Sequence, residues 1–253
     1  MNAHQQIERL RRLLGESNRG VVFTGAGIST ESGIPDFRSP GGIWSQYQPI
    51  EFSDFLASEE MRRESWRRKI ATDEALSHAE PNRGHRAVAE LVRRGKVASV
   101  ITQNIDGLHQ RYGVPDDQVI ELHGNATYAA CLTCSKRYEL ANVYAEFKVT
   151  EDPPVCNCGG YIKSATISFG QPMPFEAMRR AQQETEMCDL FLAIGSSLVV
   201  YPAAGFPIMA ERMGARLVII NRDPTDLDDH ADLVMNTEIG PALEAVCEVG
   251  AQA

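Results

Sequence analysis

Residues 21–29 of the chain read VVFTGAGIS, and this stretch decides the class of fold. A run of apolar residues typical of a buried strand leads directly into Gly25 and Gly27, with Ala26 between them. Glycines at this spacing let backbone N–H groups approach a phosphate, as in the first turn of dinucleotide-binding folds. The motif G-x-G-x-x-G is incomplete, because Thr30 stands in place of the third glycine. The turn alone therefore predicts a nucleotide site without naming its chemistry.

The other apolar runs predict an open parallel sheet. Buried strands rich in Val, Ile or Leu are expected at residues 21–24, 97–102, 118–122, 189–194 and 216–220. Helical patterns separate most of these strands and lie at residues 80–94, 175–187 and 203–213. This alternation predicts an α/β fold with a Rossmann-like, doubly wound parallel sheet.

Two stretches interrupt the alternation. Residues 126–165 carry two close cysteine pairs, Pro153-Pro154 and Gly159-Gly160, which indicates a small inserted module. Residues 33–54 are rich in Pro, Gly, Ser and aromatic residues, which favours a functional loop over a plain connector. We therefore expect three parts, namely a Rossmann-like domain from residues 1–32, 80–125 and 166–253, a cofactor-binding loop with a helical insertion at 33–79, and the small module at 126–165.

Length and charge narrow the class of protein. A chain of 253 residues can bury a sizeable core within one large domain that carries an insertion. The net charge of −9 disfavours direct binding to nucleic acid, whereas basic protein segments are plausible partners. No apolar run approaches the roughly 20 residues that span a bilayer, so no membrane segment is expected. Residues 1–14 read as an amphipathic helix and not as a signal peptide, which indicates a cytoplasmic protein.

Four of the six cysteines predict a metal site. Cys131-x-x-Cys134 is followed by Cys156-x-Cys158, and each short spacing lets two thiolates converge on one ion. Close pairs of this kind suit metal binding in a reducing compartment better than a disulfide framework. Four thiolates favour tetrahedral zinc with no position left for water, hence a structural zinc. Cysteines packed as small apolar residues and a redox dithiol are the alternatives.

Polar residues follow two of the predicted strands. The sequence TQNIDGLH at 102–109 begins where the strand 97–102 ends, and ELHG at 121–124 ends the strand 118–122. Ligands of open α/β sheets bind beyond the carboxyl ends of the strands, so both segments are directed at the nucleotide crevice. A histidine titrates near neutrality and can accept a hydroxyl proton. His123 is therefore a candidate general base, and a purely structural histidine is the alternative.

The motifs GAGIS at 25–29, GIPDFRS at 33–39, TQNID at 102–106 and HG at 123–124 resemble the signature blocks of the sirtuins, of the bacterial type, in order and spacing. The similarity covers roughly residues 5–245. It implies NAD-dependent removal of acyl groups from protein lysines, with the active site between a Rossmann-like NAD-binding domain and a zinc-binding module. NAD would be a consumed co-substrate, and the products would be free lysine, nicotinamide and O-acyl-ADP-ribose.

The resemblance also implies roles for individual residues. His123 would be the general base that deprotonates a ribose hydroxyl, Asn104 would contact the ribose and a water, and Asp106 would organise the nicotinamide pocket. The implied NAD contacts are Gly25, Ala26, Gly27, Asp36, Phe37, Arg38, Gln103, Asn104, Asp106, Gly195, Ser196, Ser197, Asn221 and Ile239. The implied contacts with acylated lysine side chains of proteins are Ile105, His123, Ser168, Phe169 and Gly170. The last three would pair with an extended substrate peptide as an added strand.

The chain departs from the sirtuin pattern at the substrate rim. Ser164 stands where many sirtuins have Pro, and Gln171 where many have Glu, so we expect a weaker preference for basic residues beside the acyl-lysine. Sirtuins that remove succinyl or malonyl groups carry a Tyr-x-x-Arg pair. The nearest frames here are S-x-x-R at 65–68 and W-x-x-K at 66–69, which favours an uncharged acyl group, acetyl first.

Other functions remain as alternatives to the deacetylase. A deacylase that prefers succinyl, malonyl or longer acyl groups would use the same NAD contacts, and so would a protein ADP-ribosyltransferase. A dehydrogenase would share the glycine turn but would have no reason for a cysteine module. A catalytically silent zinc-bearing binding module would not need Asn104, Asp106 and His123 together.

Overall fold

In the part of the chain that the structure describes, six parallel strands form the central sheet. The computed structural model describes residues 1–36, 42 and 48–248. The strands in these residues are β1 (Gly20–Thr24), β2 (Val97–Thr102), β3 (Val119–Glu121), β4 (Gly124–Cys131), β5 (Arg137–Glu139), β6 (Ile162–Thr166), β7 (Leu190–Ile194), β8 (Arg216–Ile220) and β9 (Leu233–Met235). The α-helices are α1 (Ala3–Glu16), α2 (Phe52–Ala57), α3 (Glu59–Ala75), α4 (Arg83–Arg93), α5 (Leu108–Arg111), α6 (Leu140–Thr150), α7 (Phe175–Met187), α8 (Gly205–Arg212) and α9 (Ile239–Glu248). No helix in the described ranges combines the length and apolar character that a membrane span requires.

The order of the strands places a switch point in the middle of the sheet. The order is β3-β2-β1-β7-β8-β9, so the chain runs outward from β1 in one direction and later returns to β7 on the other side of β1. Both neighbours of β1 are parallel to it. Ligands of open α/β sheets bind at such a point, beyond the carboxyl ends of the two strands. The predicted doubly wound sheet is confirmed, and each predicted strand lies within two residues of its expected bounds.

Helices cover both faces of this sheet. Val22 points into a core shared with α1, α4 and α9, whereas Val21 and Phe23 point into the opposite core beneath α7 and α8. Successive side chains of a strand alternate between faces, and a strand buried on both faces reads as a continuous apolar run. The strand β9 and the helix α9 were not predicted, because three residues and a ten-residue helix near the end give a weak pattern.

The cysteine-containing insertion has its own sheet and core. Its three strands are antiparallel in the order β5-β4-β6, and the helix α6 lies within the same segment. Trp66 and Ile70 of α3 are buried in one cluster with Val143 and Phe147 of α6. The helical insertion and the small sheet therefore share a hydrophobic core. The sequence interpretation missed α6, since the prolines, glycines and cysteines on either side of it hide its period.

Two glycine turns interlock at the switch point. The N–H groups of Gly25 and Gly27 donate to the carbonyls of Ile194 and Gly195 at 3.0 and 2.8 Å. A Cβ on Gly27 would lie 2.8 Å from the Cα of Gly195, and a Cβ on Gly25 would lie 2.7 Å from the Gly195 carbonyl oxygen. These glycines are required because two backbones meet here. The N–H groups of both glycines already donate to these carbonyls. The glycines therefore contribute to the site by letting the two backbone segments approach each other closely.

We expect Gly27→Ala to destabilise the protein by about 1–3 kcal/mol, since the new methyl group would push against backbone that has no rotamer to relieve the contact. Gly15→Ala is the matched control, because a Cβ at Gly15 in α1 meets nothing within 4 Å. Alanine in a helix should stabilise the control by about 0.5–1 kcal/mol. Urea unfolding measures both values, and equal midpoints for the two variants would contradict the interlock.

Candidate active site

Asn104 and Asp106 lie in the loop after β2 and are joined through Ser29. The Ser29 hydroxyl donates to Oδ2 of Asp106 at 2.7 Å. The Asn104 amide donates to Ser29 Oγ at 3.2 Å and to the carbonyl oxygen of Gly25 at 3.1 Å. The other Asp106 oxygen accepts from the backbone N–H of Leu108 at 2.9 Å. The amide and the carboxylate are therefore held in one orientation beside the glycine turn.

A buried histidine, His85, contacts the Ser29 hydroxyl. His85 Nε2 lies 3.4 Å from Ser29 Oγ, and its Nδ1 accepts from the backbone N–H of Asn82 at 3.3 Å. Because the Ser29 proton is donated to Asp106, Nε2 of His85 is the nitrogen that carries hydrogen. Burial lowers the pKa of His85 to about 4, although the Asp106 charge acts in the opposite direction. The imidazole is therefore neutral at physiological pH.

A second buried histidine, His109, packs edge-on against His85 with ring centroids 5.1 Å apart. Its Nε2 lies 3.0 Å from Thr24 Oγ1, which donates to Thr102 Oγ1 at 2.8 Å. Thr102 Oγ1 in turn accepts the backbone N–H of Asn104 at 3.0 Å. Burial lowers the pKa of His109 to about 3, and among the described residues its Nδ1 has no hydrogen-bond partner. This neutral ring fixes the hydroxyls on which the loop after β2 rests.

The sequence interpretation gave no role to Ser29, His85 or His109. Ser29 and His109 fall inside motifs that were noted for their neighbours, but nothing along the chain shows that they touch. His85 lies 56 positions from Ser29 in sequence. An Asn three residues before a His at a helix start was the only local signal, and it indicates a helix cap.

His123 is held in one tautomer. Its Nδ1 lies 2.9 Å from the backbone carbonyl oxygen of Gln103. A carbonyl can only accept, so Nδ1 carries the hydrogen and Nε2 keeps its lone pair. Burial lowers the pKa of His123, while the bond to Gln103 acts in the opposite direction. The lowered pKa favours the uncharged ring, in which Nε2 can accept a proton.

Gln103 joins His123 to the far side of the switch point. Its side-chain amide donates to Ser196 Oγ at 2.8 Å, and its backbone N–H donates to the Thr24 carbonyl at 2.9 Å. The structure thus brings the loops after β1, β2 and β7 together with the strand end that bears His123. These predicted residues come from four separate segments of the chain.

The glycine after His123 is required by the crossing of two chain segments. Gly124 has a φ of +74°, and a Cβ there would lie 2.0 Å from the carbonyl oxygen of Ala165. The carbonyl of His123 accepts the N–H of Ile167 at 2.8 Å, and that of Ile105 accepts the N–H of Ala126 at 2.8 Å. His123 and Ile105 therefore lie where the large sheet meets the small one.

Other predicted NAD residues follow the carboxyl ends of β7 and β8. Ser196 is buried, whereas Ser197 is exposed beside it. Asn221 follows β8 and donates its amide to the Asp223 carbonyl at 2.7 Å. Phe37 and Arg38 lie outside the described residues, and neighbouring Asp36 lies inside them.

Ile239 opens α9 and packs against the second glycine turn. Its Cδ1 would lie 2.9 Å from a Cβ on Gly195, whose φ is +64°. Ala26, by contrast, begins a 3₁₀ segment, Ala26–Ser32, directly after Gly25. The 3₁₀ segment and the start of α9 therefore both lie beside the glycine turns, although they are far apart in the sequence.

The predicted substrate segment is a turn in this structure. The backbone N–H of Ser168 donates to Oε1 of Gln171 at 3.1 Å, and the Gln171 N–H donates to the Ser168 carbonyl at 3.0 Å. The carbonyl of Phe169 accepts the N–H of Phe52 at 2.9 Å. Ser168, Phe169 and Gly170 follow β6, which is an edge strand of the small sheet. A free edge is the feature that an added peptide strand needs.

The four predicted cysteine ligands converge on one point. The sulfur atoms of Cys131, Cys134, Cys156 and Cys158 all lie within 4.8 Å of one another. The pairs Cys131–Cys158 and Cys134–Cys156 are 3.5 and 3.6 Å apart. Four thiolates at about 2.3 Å from a tetrahedral zinc ion are about 3.8 Å apart, so the residues fit this metal. The Tyr138 hydroxyl donates to Cys156 Sγ at 3.0 Å, a contact that supports a thiolate there.

The fold and the site together define a Rossmann-like protein with a histidine at the crevice of its large sheet and a four-cysteine module. The family model of the Sir2 family matches residues 25–202. The NAD-dependent protein deacetylase 1 of Bradyrhizobium diazoefficiens is 58% identical over 94% of this chain and 93% of its own length. The chain therefore belongs to the Sir2 family.

Solved structures show the same relationship. A Sir2 structure described with a p53 peptide and NAD+ is 38% identical, with a TM-score of 0.86, over 98% of this chain and 99% of that chain. A Sir2 protein bound to a propionylated peptide is 36% identical, with a TM-score of 0.87, over 98% of this chain and 100% of that chain. The likeness spans both the large sheet and the cysteine module.

Because two histidines are buried in the neutral form, we expect the free energy of unfolding to fall in acid. The unfolded chain binds protons to histidine near pH 6.5, whereas folded His85 and His109 stay neutral down to about pH 4 and about pH 3. Because the unfolded state binds more protons in this window, their contribution is complete above about pH 6.5 and is lost as the pH falls toward 4. Urea unfolding between about pH 7.5 and about pH 5 should show this slope. His109→Gln should reduce the slope and the exposed control His4→Gln should not; equal slopes would contradict the assignment.

Metal removal should loosen the small sheet together with α3. Trp66 of α3 is buried in one cluster with Cys131 and Cys156, so its fluorescence should shift to the red when a chelator removes the metal. Trp44→Phe leaves Trp66 as the single tryptophan reporter of the chain. Cys156→Ser should give the same shift without chelator, and Cys188→Ser, outside the cluster, should keep a full metal content by elemental analysis. An unchanged spectrum after complete metal loss would disprove this coupling.

Proposed function

We propose that the chain is an NAD-dependent protein lysine deacylase that acts first on acetyl-lysine. It transfers the acyl group to ADP-ribose and releases nicotinamide and O-acyl-ADP-ribose. Membership of the Sir2 family and the NAD-dependent deacetylase of B. diazoefficiens support this reaction. The observation that carries it is the tautomer of His123, whose free Nε2 stands at the meeting of the two sheets.

His123 takes a hydroxyl proton through Nε2. The reaction requires a base that is uncharged at neutral pH, and burial already favours the uncharged ring. Once protonated, the ring would carry a positive charge, which the Gln103 carbonyl stabilises through the hydrogen on Nδ1. The same bond also prevents the ring from turning. Gln103 is thus a positioning residue as well as a contact to the ribose.

When bound, NAD would supply the ribose carbon to which the acyl oxygen adds and the nicotinamide that leaves. Ala26, at the start of the 3₁₀ segment, would hold the diphosphate through its backbone N–H, and Ser196 and Ser197 would hold it through their hydroxyls. By the sirtuin resemblance, Asn221 would bind the adenosine ribose. It would take the place of the acidic residue that binds this ribose earlier in the chain of other dinucleotide-binding folds. Ile239 would lie against the adenine. The interlocked glycines give the cofactor access because they have no side chains to fill the turn.

Asn104 and Asp106 orient the reacting end of the cofactor. The Asn104 amide donates to Ser29 and to the Gly25 carbonyl, which leaves its side-chain oxygen to accept from a ribose hydroxyl or a water. Asp106 keeps its carboxylate fixed by Ser29 and by the N–H of Leu108. A fixed carboxylate can accept from the carboxamide of nicotinamide. In both roles the side chain must be correctly oriented, and neither Asn104 nor Asp106 has to change its charge.

The cationic side chains in the Tyr-x-x-Arg frames support an uncharged acyl group. Arg68 donates to Glu64 at 2.6 Å and to the Gln48 carbonyl at 2.7 Å. Lys69 pairs with Asp73, four residues further along the same helix. Their charges are therefore engaged by groups of the chain itself. An acidic acyl group would compete with Glu64 and Asp73 for these cations.

Helix α3 and the cysteine module act as one small domain. Their shared core joins Trp66 and Ile70 of α3 to β4, α6 and β6, so the helical insertion and the module, which the sequence predicts as two separate parts, are grouped together. Metal bound by the four cysteines stabilises this domain, and it takes no part in the chemistry because all four positions are thiolates. The cleft between the two domains binds the acylated lysine.

His123→Ala should lower the rate of deacetylation by about 10²- to 10⁴-fold, the usual contribution of a general base. Binding of NAD, measured by calorimetry, should change little, because the diphosphate contacts lie on other segments. Mass spectrometry of an acetylated peptide should detect free lysine and O-acetyl-ADP-ribose in equal amounts. The exposed residue His230 provides a control, since His230→Ala should keep full activity.

Two outcomes would contradict the proposed function. Full activity of His123→Ala would remove the base from the mechanism. NAD cleavage with label on protein, and no loss of acetyl from any peptide, would instead favour ADP-ribosyl transfer.

A further inference from the structure

The carboxylate of Glu51 lies against the turn that is proposed to receive the substrate peptide. Its Oε2 is 3.4 Å from the position that a Cβ on Gly170 would occupy. Directly beside it, the N–H of Phe52 donates to the Phe169 carbonyl at 2.9 Å. The start of α2 is thus fastened to the turn, and Glu51 is held at the rim by a backbone bond one residue away.

The side chain of Glu51 does not cap the helix at whose start the residue lies. It occupies the N-cap of α2, yet its side chain accepts no capping hydrogen bond. In the part of the chain that the structure describes, its carboxylate forms no ion pair. An exposed carboxylate that neither caps its helix nor pairs with a cation is available to a ligand.

Gln171, where many sirtuins have Glu, has a different task at this rim. Its side-chain oxygen accepts the N–H of Ser168 and closes the turn. As a neutral amide it adds no charge to the peptide edge. The charge that position 171 lacks is present on Glu51, which reaches the same turn from α2.

We infer that Glu51 selects protein substrates that carry an arginine or lysine beside the acyl-lysine. The inference rests on the proposed function, since it assumes that the peptide pairs with residues 168–170. A peptide strand on this edge would pass within reach of the carboxylate, and a long basic side chain could meet it without leaving solvent. The sequence-based expectation of a weaker basic preference, drawn from Gln171 alone, is thereby revised.

Acetyl-lysine peptides that differ at one flanking position, with arginine, norleucine or glutamate there, measure this preference. In the wild type kcat/KM should favour arginine over norleucine by about 2- to 5-fold, the range for an exposed ion pair. Glu51→Gln should bring this ratio close to one. Raising ionic strength from about 0.1 M to about 1 M should have the same effect, because the screening length shrinks from about 10 Å to about 3 Å.

Asp54→Asn is the matched control, because Asp54 is an exposed carboxylate in the first turn of the same helix. It should leave the arginine ratio unchanged, while Gln171→Glu should raise it. An equal fall in both carboxylate variants, or no arginine preference in the wild type, would overturn the role of Glu51.

Fluorescence anisotropy with the same peptides separates this inference from the proposed function. Arginine-dependent binding that Glu51→Gln removes, without deacetylation in any variant, would keep Glu51 as a specificity residue and reject the deacylase reaction. Deacetylation without any arginine preference in binding or turnover would do the reverse.

Discussion

The close approach of two backbone turns at the centre of the sheet is the constraint on which the rest of the structure depends. Gly25 and Gly27 meet Gly195 at distances that no side chain could share. This contact joins the ends of β1 and β7 and opens the crevice at the switch point. The loops that bear Asn104, Asp106 and Ser196 are then fastened to it by side-chain bonds.

Beside the crevice, buried neutral polar side chains connect the strands to the site residues and hold those residues in fixed orientations. His109 and two threonines set the start of the loop after β2, while His85 and Ser29 set the carboxylate of Asp106. Unpaired charges at this depth would be costly, and neutral imidazoles supply directed hydrogen bonds without that cost. The acid sensitivity of such a layer is the consequence of keeping it uncharged.

Much of the fold and part of the site could be read from the residues in order. Apolar runs located the long strands, and His123 was found because it ends one of them. The cysteine spacing predicts the metal site, and the four sulfur atoms converge in the structure. In contrast, α6 was hidden by its proline-rich and cysteine-rich surroundings, and β9 is too short to show a period. Contacts such as Ser29 with His85 leave no local trace, because each residue alone is compatible with a plain core.

The sequence by itself determined the class of fold, the candidate metal ligands, the family resemblance and the candidate base, because periodicity, spacing and motif order are all visible in the order of the residues. Only the tertiary structure decided which nitrogen of His123 is free, because that depends on the Gln103 carbonyl 20 positions away in sequence. It also decided that the glycine N–H groups are occupied and that Glu51 stands at the turn after β6. Hydrogen bonds and charges act over a few ångströms of space, and folding alone sets which distant residues come that close.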